Sequence, residues 1–398
     1  MPDIVKVLLI FIFILFLLSR KIYIGYALIF SSLLFLVFYS IDFYKLPSVI
    51  FNGLTSKVSL NLFLSLTLIK SFEYALKQTG LMSKMTELSQ VIFTNKKISI
   101  ISMPLIIGML PSLGGAYLSA PMVESSTKNT NMTADEKAFV NYWYRHPWEL
   151  ILPLYPGIVL ASAISGVSLR DLIIYNLPIA IIFVIFGFII SMRNVKNEDS
   201  QDKKDIFKNI YSFIPICLVL VPVVIFKIDL YISLFLNILF LCLWFKVKMK
   251  KLFEIIRYGF TLDVVLLVVG VIIFEEMLKF SGAVDAVASE ITHLGIEPIY
   301  VFIFLPLFVG LITGVSVGFV GSTFPLLLHL KETFPYEISL AFVAGYTGVM
   351  ISPLHLCLIL TRNYFKADMK GIYRKVIPGT FVMLFSALIE FAILRYYS

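Results

Sequence analysis

Apolar runs of 15–25 residues recur along this chain, each about the length a helix needs to cross a ~30 Å hydrocarbon core. They cover 4–18, 22–40, 59–80, 141–165 and 172–192 in the first half, and 208–226, 228–245, 261–281, 341–363 and 374–395 in the second. In lipid a helix satisfies its backbone groups within itself, so the runs predict ten helical spans. Composition agrees. Hydrophobic residues make up 59% and charged residues 15% of the 398, against ~45–50% and ~25% in soluble domains. That excess argues against a water-soluble enzyme and against a disordered chain. The first run has the length of a signal peptide but leads into Ser19, Arg20 and Lys21 rather than a small-residue cleavage site. It reads as a retained span.

Two further apolar stretches, 98–127 and 299–327, are interrupted at matching places. The first holds Pro104, Gly108, Pro111, Gly114, Gly115 and Pro121; the second holds Pro306, Gly310, Gly314, Gly318, Gly321 and Pro325. Each is expected to enter the membrane and return as a helical hairpin, with its turn surrounded by protein or a water-filled cavity. With this layout, twenty-two Lys and Arg side chains fall in segments assigned to the inside and six outside. That bias places both termini outside a cytoplasmic membrane. It also explains the net charge of +8 without nucleic acid as a partner.

The chain repeats itself. FEYALKQTG (72–80) aligns with FEEMLKFSG (274–282), and at the same offset Pro104 and Gly108 meet Pro306 and Gly310. With small gaps Pro121 meets Pro325, Tyr142 meets Tyr346, and Pro147 meets Pro353. The expected fold is an all-α polytopic membrane protein of two repeats, 1–193 and 208–398, joined by a cytoplasmic linker at 194–207. Five spans per repeat is an odd number, so the second copy enters inverted, and inverted repeats with discontinuous helices mark secondary transporters.

Candidate ligand contacts gather at the expected breaks. Hairpin one offers Ser112, Gly114, Gly115 and Ser119; hairpin two offers Ser316, Ser322 and Thr323. Glycines let a ligand approach the backbone, and a half-helix N-terminus presents free N–H groups to an anion. Gly108 and Gly310, by contrast, read as packing positions. Pro147 predicts a break beside Arg145, His146 and Glu149. Arg145 suits bidentate capture of a carboxylate; it equally suits an interfacial anchor within an aromatic belt of Trp143 and Trp148. His146 and Glu149 form either a proton or cation relay or a structural pair. The second break, MISPLH (350–355), supplies Ser352 and His355. Glu73/Lys77 and Glu275/Lys279 have i,i+4 spacing and read first as structural pairs, with ion coupling at Glu73 as the lesser role.

No HExxH or GxxxxGK[ST] motif occurs, so neither an enzyme nor an ATP-driven pump is expected. Cys217, Cys242 and Cys357 lie in apolar runs without metal or disulfide spacing and read as small hydrophobes. No metal site and no cofactor other than a sodium ion are expected.

The segments PSLGGAYLSAPMVE (111–124) and NYWYRHPWELILPLYPG (141–157) resemble the uncharacterised integral-membrane family called domain of unknown function 401, which is grouped with the ion transporter superfamily. It is distantly similar to divalent-anion/sodium symporters and gluconate permeases. The resemblance implies a dimeric elevator carrier with its substrate between hairpin tips and broken spans. The Ser-Asn-Thr tips of those symporters are not reproduced here, since the tips carry no Asn. The functional expectation is a sodium- or proton-coupled transporter of a small anionic solute, working as a homodimer in the lipid bilayer. The alternatives are a cation/proton antiporter and a non-transporting membrane enzyme or assembly factor.

Overall fold

The computed structural model describes residues 1–39, 41, 44, 46–89, 95–110, 115–193, 195 and 206–397. Their regular structure is helical throughout. The first half runs α1 (Asp3–Ser19), α2 (Ile24–Tyr39), α3 (Leu46–Thr55), α4 (Lys57–Gln78), α5 (Leu81–Ser89), α6 (Lys96–Gly108), α7 (Gly115–Ser126), α8 (Ala134–Trp143), α9 (Trp148–Ile151), α10 (Pro156–Ser165) and α11 (Leu169–Ser191). The expected linker, 194–207, lies outside the described residues except for Val195, Ile206 and Phe207. A 3₁₀ segment, Ile206–Phe213, then leads into α12 (Ile214–Val224), α13 (Leu230–Trp244), α14 (Met249–Gly259), α15 (Leu262–Phe280), α16 (Ala283–His293), α17 (Pro298–Thr313), α18 (Ser316–Leu330), α19 (Pro335–Ile351), α20 (Leu356–Phe365) and α21 (Met369–Tyr397).

Helices occupy all ten expected spans, but fewer are full crossings by length. Among the described residues four stretches are long and apolar enough to cross a membrane: Ala134–Ser165, Leu169–Ser191, Pro335–Phe365 and Met369–Tyr397. A fifth arises if α3 and α4, bent by 54° at their junction, count as one. The other expected spans hold helices of 11 to 19 residues. Their outward faces are apolar. On α21 Phe381, Phe385, Ile389 and Ile393 form an exposed stripe at four-residue spacing, a surface suited to lipid and not to water.

Four short helices escape the span pattern, namely α3, α5, α14 and α16. Each has only 9–11 residues, too few for an apolar run. Leu81 and Met85 of α5, and Val287 and Ile291 of α16, are buried one turn apart, the mark of a helix lying on a surface by one face.

With these added, the two halves carry the same succession: two apolar helices, a short helix joined to a long one, another short helix, a hairpin, a broken helix and a final long helix. Packing follows suit. α4 lies on α13 and α14, and α15 lies on α2 and α3. α7 packs on α20 and α18 on α10; α8 packs on α21 and α11 on α19. Exchanging the halves leaves these pairings in place.

The hairpin prolines do not break their helices. Pro104, Pro121, Pro306 and Pro325 all lie inside helices. Hairpin two turns instead at Gly314, whose φ of 66° suits glycine and whose N–H returns to the Gly310 carbonyl at 2.8 Å. The expected turn of hairpin one, 111–114, lies outside the described residues.

Candidate functional site

Two helix breaks cross at the centre of this arrangement. The first follows α8. Pro147 has no N–H to continue the helix, α9 lasts four residues, and the chain is extended at Leu152 before α10 begins at Pro156. The second follows α19, where Ser352 and His355 are extended and α20 begins at Leu356. Breaks free carbonyl groups that must be paired in an apolar interior. Each half pairs the other's. Tyr142 donates its O–H to the Met350 carbonyl and Tyr346 donates to the His146 carbonyl, both at 2.8 Å. Tyr142→Phe and Tyr346→Phe are therefore expected to destabilise the protein by similar amounts, about 1–3 kcal/mol each. Thermal melts in detergent check this, and a wide gap between the two would show the breaks to be unequal.

The crossing brings together Arg145, His146, Glu149, Ser316 and His355, with Cys357, a residue that sequence reasoning assigned to packing. His146 Nε2 and His355 Nε2 are 3.0 Å apart. His146 Nδ1 faces the Tyr142 carbonyl oxygen, and His355 Nδ1 faces the Gly314 carbonyl oxygen at 2.9 Å. Cys357 Sγ and one ring nitrogen of each histidine all lie within 4.8 Å of one another. Glu149 has one oxygen 3.9 Å from His146 Nε2 and the other 3.5 Å from the Ser316 hydroxyl. Arg145 Nη1 donates to Cys357 Sγ at 3.6 Å, while its buried Nε has no partner among the described residues. Arg145, His146 and His355 are 5%, 2% and 6% exposed, whereas Glu149, Ser316 and Cys357 keep partial exposure.

The tip of hairpin two is seated against both half-helices. A Cβ on Gly314 would lie 2.9 Å from the His355 backbone nitrogen, and one on Gly157 would lie 2.5 Å from the Ser316 hydroxyl. The starts of α10, α18 and α20 thus converge on the cluster. Ser352 stands beside it, its carbonyl accepting from the His355 N–H at 3.2 Å and its hydroxyl from the Leu354 N–H at 3.2 Å.

Other expected contacts are spent elsewhere. Ser119 donates to the Gly115 carbonyl, Ser322 to Gly318 and Thr323 to Phe319, each within its own helix. Gly115 opens α7; Ser112 and Gly114 lie outside the described residues. Glu73 sits half-buried on α4, and among the described residues it makes no ion pair with Lys77, whereas Lys279 does bind Glu275 at 2.5 Å.

The belt reading of the tryptophans does not hold. Trp143 is fully buried, stacked on Phe183 with ring centroids 3.9 Å apart and its N–H on the Phe183 carbonyl. Trp148 donates to the Leu105 carbonyl at 2.6 Å. Arg145, buried between them in sequence, is consequently no interfacial anchor. The signal for Cys357 was its place two residues after His355. It passed unnoticed because the other histidine is 211 positions away, and only the crossing of the breaks unites them.

Residues 4–394 match the family described as Protein of unknown function (DUF401). No curated protein matches the chain.

Proposed function

The chain belongs to the DUF401 family, and from its site we propose that it is a secondary active transporter of a small anionic solute, a carboxylate, coupled to sodium or protons. The observation that carries the reading is Arg145. It is a buried guanidinium with an unpartnered Nε and, among the described residues, no ion-pair partner. A buried charge left so costs several kcal/mol, a cost that an oxyanion removes by accepting two parallel N–H bonds. The helix starts gathered beside it offer further N–H groups to the same anion.

Because the halves can be exchanged without changing the packing, we read 1–193 and 208–398 as inverted repeats of the ion transporter superfamily kind, with 194–207 as the cytoplasmic linker. The largely buried cluster then represents one stage of alternating access, and hairpin two, seated on both breaks, is the element whose release opens it further. We further read the protein as an elevator-type homodimer in the cytoplasmic membrane with both termini outside. Glu149 and His355 are the coupling candidates nearest the anion, and Glu73 is the more distant one.

The test is a thermal-shift screen of the purified full chain against small carboxylates and inorganic oxyanions, with and without sodium. An anion at a hundred times its Kd stabilises the protein by about 2.7 kcal/mol. Arg145→Gln is expected to weaken that anion roughly 10–100-fold, the loss of a charge-assisted bond worth about 1.5–3 kcal/mol. If no anion stabilises the wild type, or if Arg145→Gln responds as the wild type does, the reading fails. Vesicle pH changes on sodium addition that vanish in Glu149→Gln would favour cation/proton antiport instead, a reading that the Glu149–His146 proximity supports.

A further inference from the structure

The two histidines face each other in a way that hydrogen bonding between neutral rings does not explain. A carbonyl oxygen only accepts. Since Nδ1 of His146 meets the Tyr142 carbonyl and Nδ1 of His355 meets the Gly314 carbonyl, each Nδ1 carries the ring proton. Both Nε2 atoms then present lone pairs, and they do so 3.0 Å apart. Two acceptors at that distance repel unless a cation lies between or beside them.

The geometry points to a site for one divalent transition-metal ion of the zinc class, held by His146 Nε2, His355 Nε2 and Cys357 Sγ, with Glu149 as fourth ligand. A tetrahedral zinc ion with Zn–N of about 2.1 Å and Zn–S of about 2.3 Å spaces two imidazole nitrogens ~3.4 Å apart, and nitrogen from sulfur ~3.6 Å apart. The observed 3.0 Å between nitrogens and the 4.8 Å envelope that includes the sulfur reach these values with side-chain adjustments of about 1 Å. Glu149, with an oxygen 3.9 Å from His146 Nε2, needs a comparable movement. Both histidines already have the outer partner that metal-bound imidazoles require, a backbone carbonyl on the far nitrogen that fixes tautomer and ring. Arg145 donates to the sulfur from outside, which favours the thiolate.

The ligand types choose the ion. Imidazole and thiolate suit zinc-class metals, whereas sodium, magnesium and calcium prefer oxygen. These ligands therefore select against a coupling sodium ion, although Glu149 and His355 are common to this site and to the coupling candidates. Thiolate and carboxylate together balance the two charges of the metal, which leaves the charge of Arg145 free for an anion. The ligands come from both breaks, and the Gly314 carbonyl ties hairpin two to one of them, so the ion pins three elements together. Metal binding is measured on purified protein without any solute or gradient, so its outcome is independent of the transport reading.

The experiment is a cobalt(II) titration of the detergent-purified full chain, followed by its optical spectrum. The wild type is expected to bind one ion per chain with a thiolate-to-cobalt charge-transfer band. Cys357→Ser removes that band and Cys217→Ser retains it. His355→Ala weakens zinc, measured by competition with cobalt, by more than the ~10–100-fold that outer-shell changes produce. A second measurement needs no variant. Zinc is expected to protect Cys357 of the wild type from thiol alkylation while Cys217, exposed on α12, still reacts. Absence of saturable cobalt binding, a band that survives Cys357→Ser, or equal alkylation of Cys357 with and without zinc would each overturn the assignment and leave a shared proton as the cation between the rings.

Discussion

Trp143→Ala is expected to destabilise the protein by about 3–5 kcal/mol. The indole is fully buried and is gripped on three sides. It stacks on Phe183 with an interplanar angle of 5°. Its five-membered ring edge lies where a Cβ on Gly187 would come within 2.4 Å, and its far edge where one on Gly379 would come within 2.2 Å. α11 and α21 thus both close on this one side chain at the end of α8, one turn from the first break. Lipid is as apolar as the protein interior, so the loss is in packing contacts and in the indole hydrogen bond to the Phe183 carbonyl rather than in transfer from water. The fraction of monodisperse protein surviving a heating series in detergent measures it. A Trp143→Ala protein that melts with the wild type would contradict the packing described.

Gly310→Ala is expected to have an effect nearly as large, more than ~3 kcal/mol, at or above the top of the usual range for overpacking. A Cβ at Gly310 would lie 2.1 Å from the Gly345 carbonyl oxygen, and one at Gly348 would lie 2.0 Å from the Leu307 carbonyl oxygen. α17 and α19 meet backbone to backbone, and neither can yield as a side chain would. One methyl group must push the helices apart and, four residues on, draw the Gly314 carbonyl away from His355. The internal control is Gly282→Ala. Its φ is 68° and nothing lies within 4 Å of the added Cβ, so only left-handed strain of about 1–2 kcal/mol is expected. Equal melting temperatures for the two variants would refute the close-packing account. Gly108, the counterpart of Gly310, plays the same part against the Arg145 carbonyl at 2.5 Å, in keeping with the packing role read for both from their spacing.

The legible parts of the site were those with a local signature. Pro147 and Pro353 announced the two breaks, because proline removes a donor wherever the chain places it. Arg145, His146, Glu149 and His355 stood out because charge and imidazole are rare within apolar runs. Ser322 and Thr323 illustrate the converse. Hydroxyls beside glycines suggested a binding tip, yet one helical turn lets each bond its own backbone, and local sequence is silent on which partner a hydroxyl chooses. The surface helices α3, α5, α14 and α16 were missed because each carries its amphipathic pattern over only 9–11 residues, too short to register among apolar runs of 15–25.

By itself, then, the amino-acid sequence determined that the chain is helical, that its helices carry apolar faces suited to lipid, that two halves share one plan, and where the helices break. These follow from hydropathy, proline and glycine, which act within a few residues of where they stand. Only the tertiary structure decided which groups meet. It buried Trp143 that the sequence left free to sit at an interface, crossed the two breaks through Tyr142 and Tyr346, and set His146 against His355 and Cys357 from opposite halves. Such pairings depend on how helices some two hundred residues apart pack, and packing is decided by the shapes of both surfaces at once.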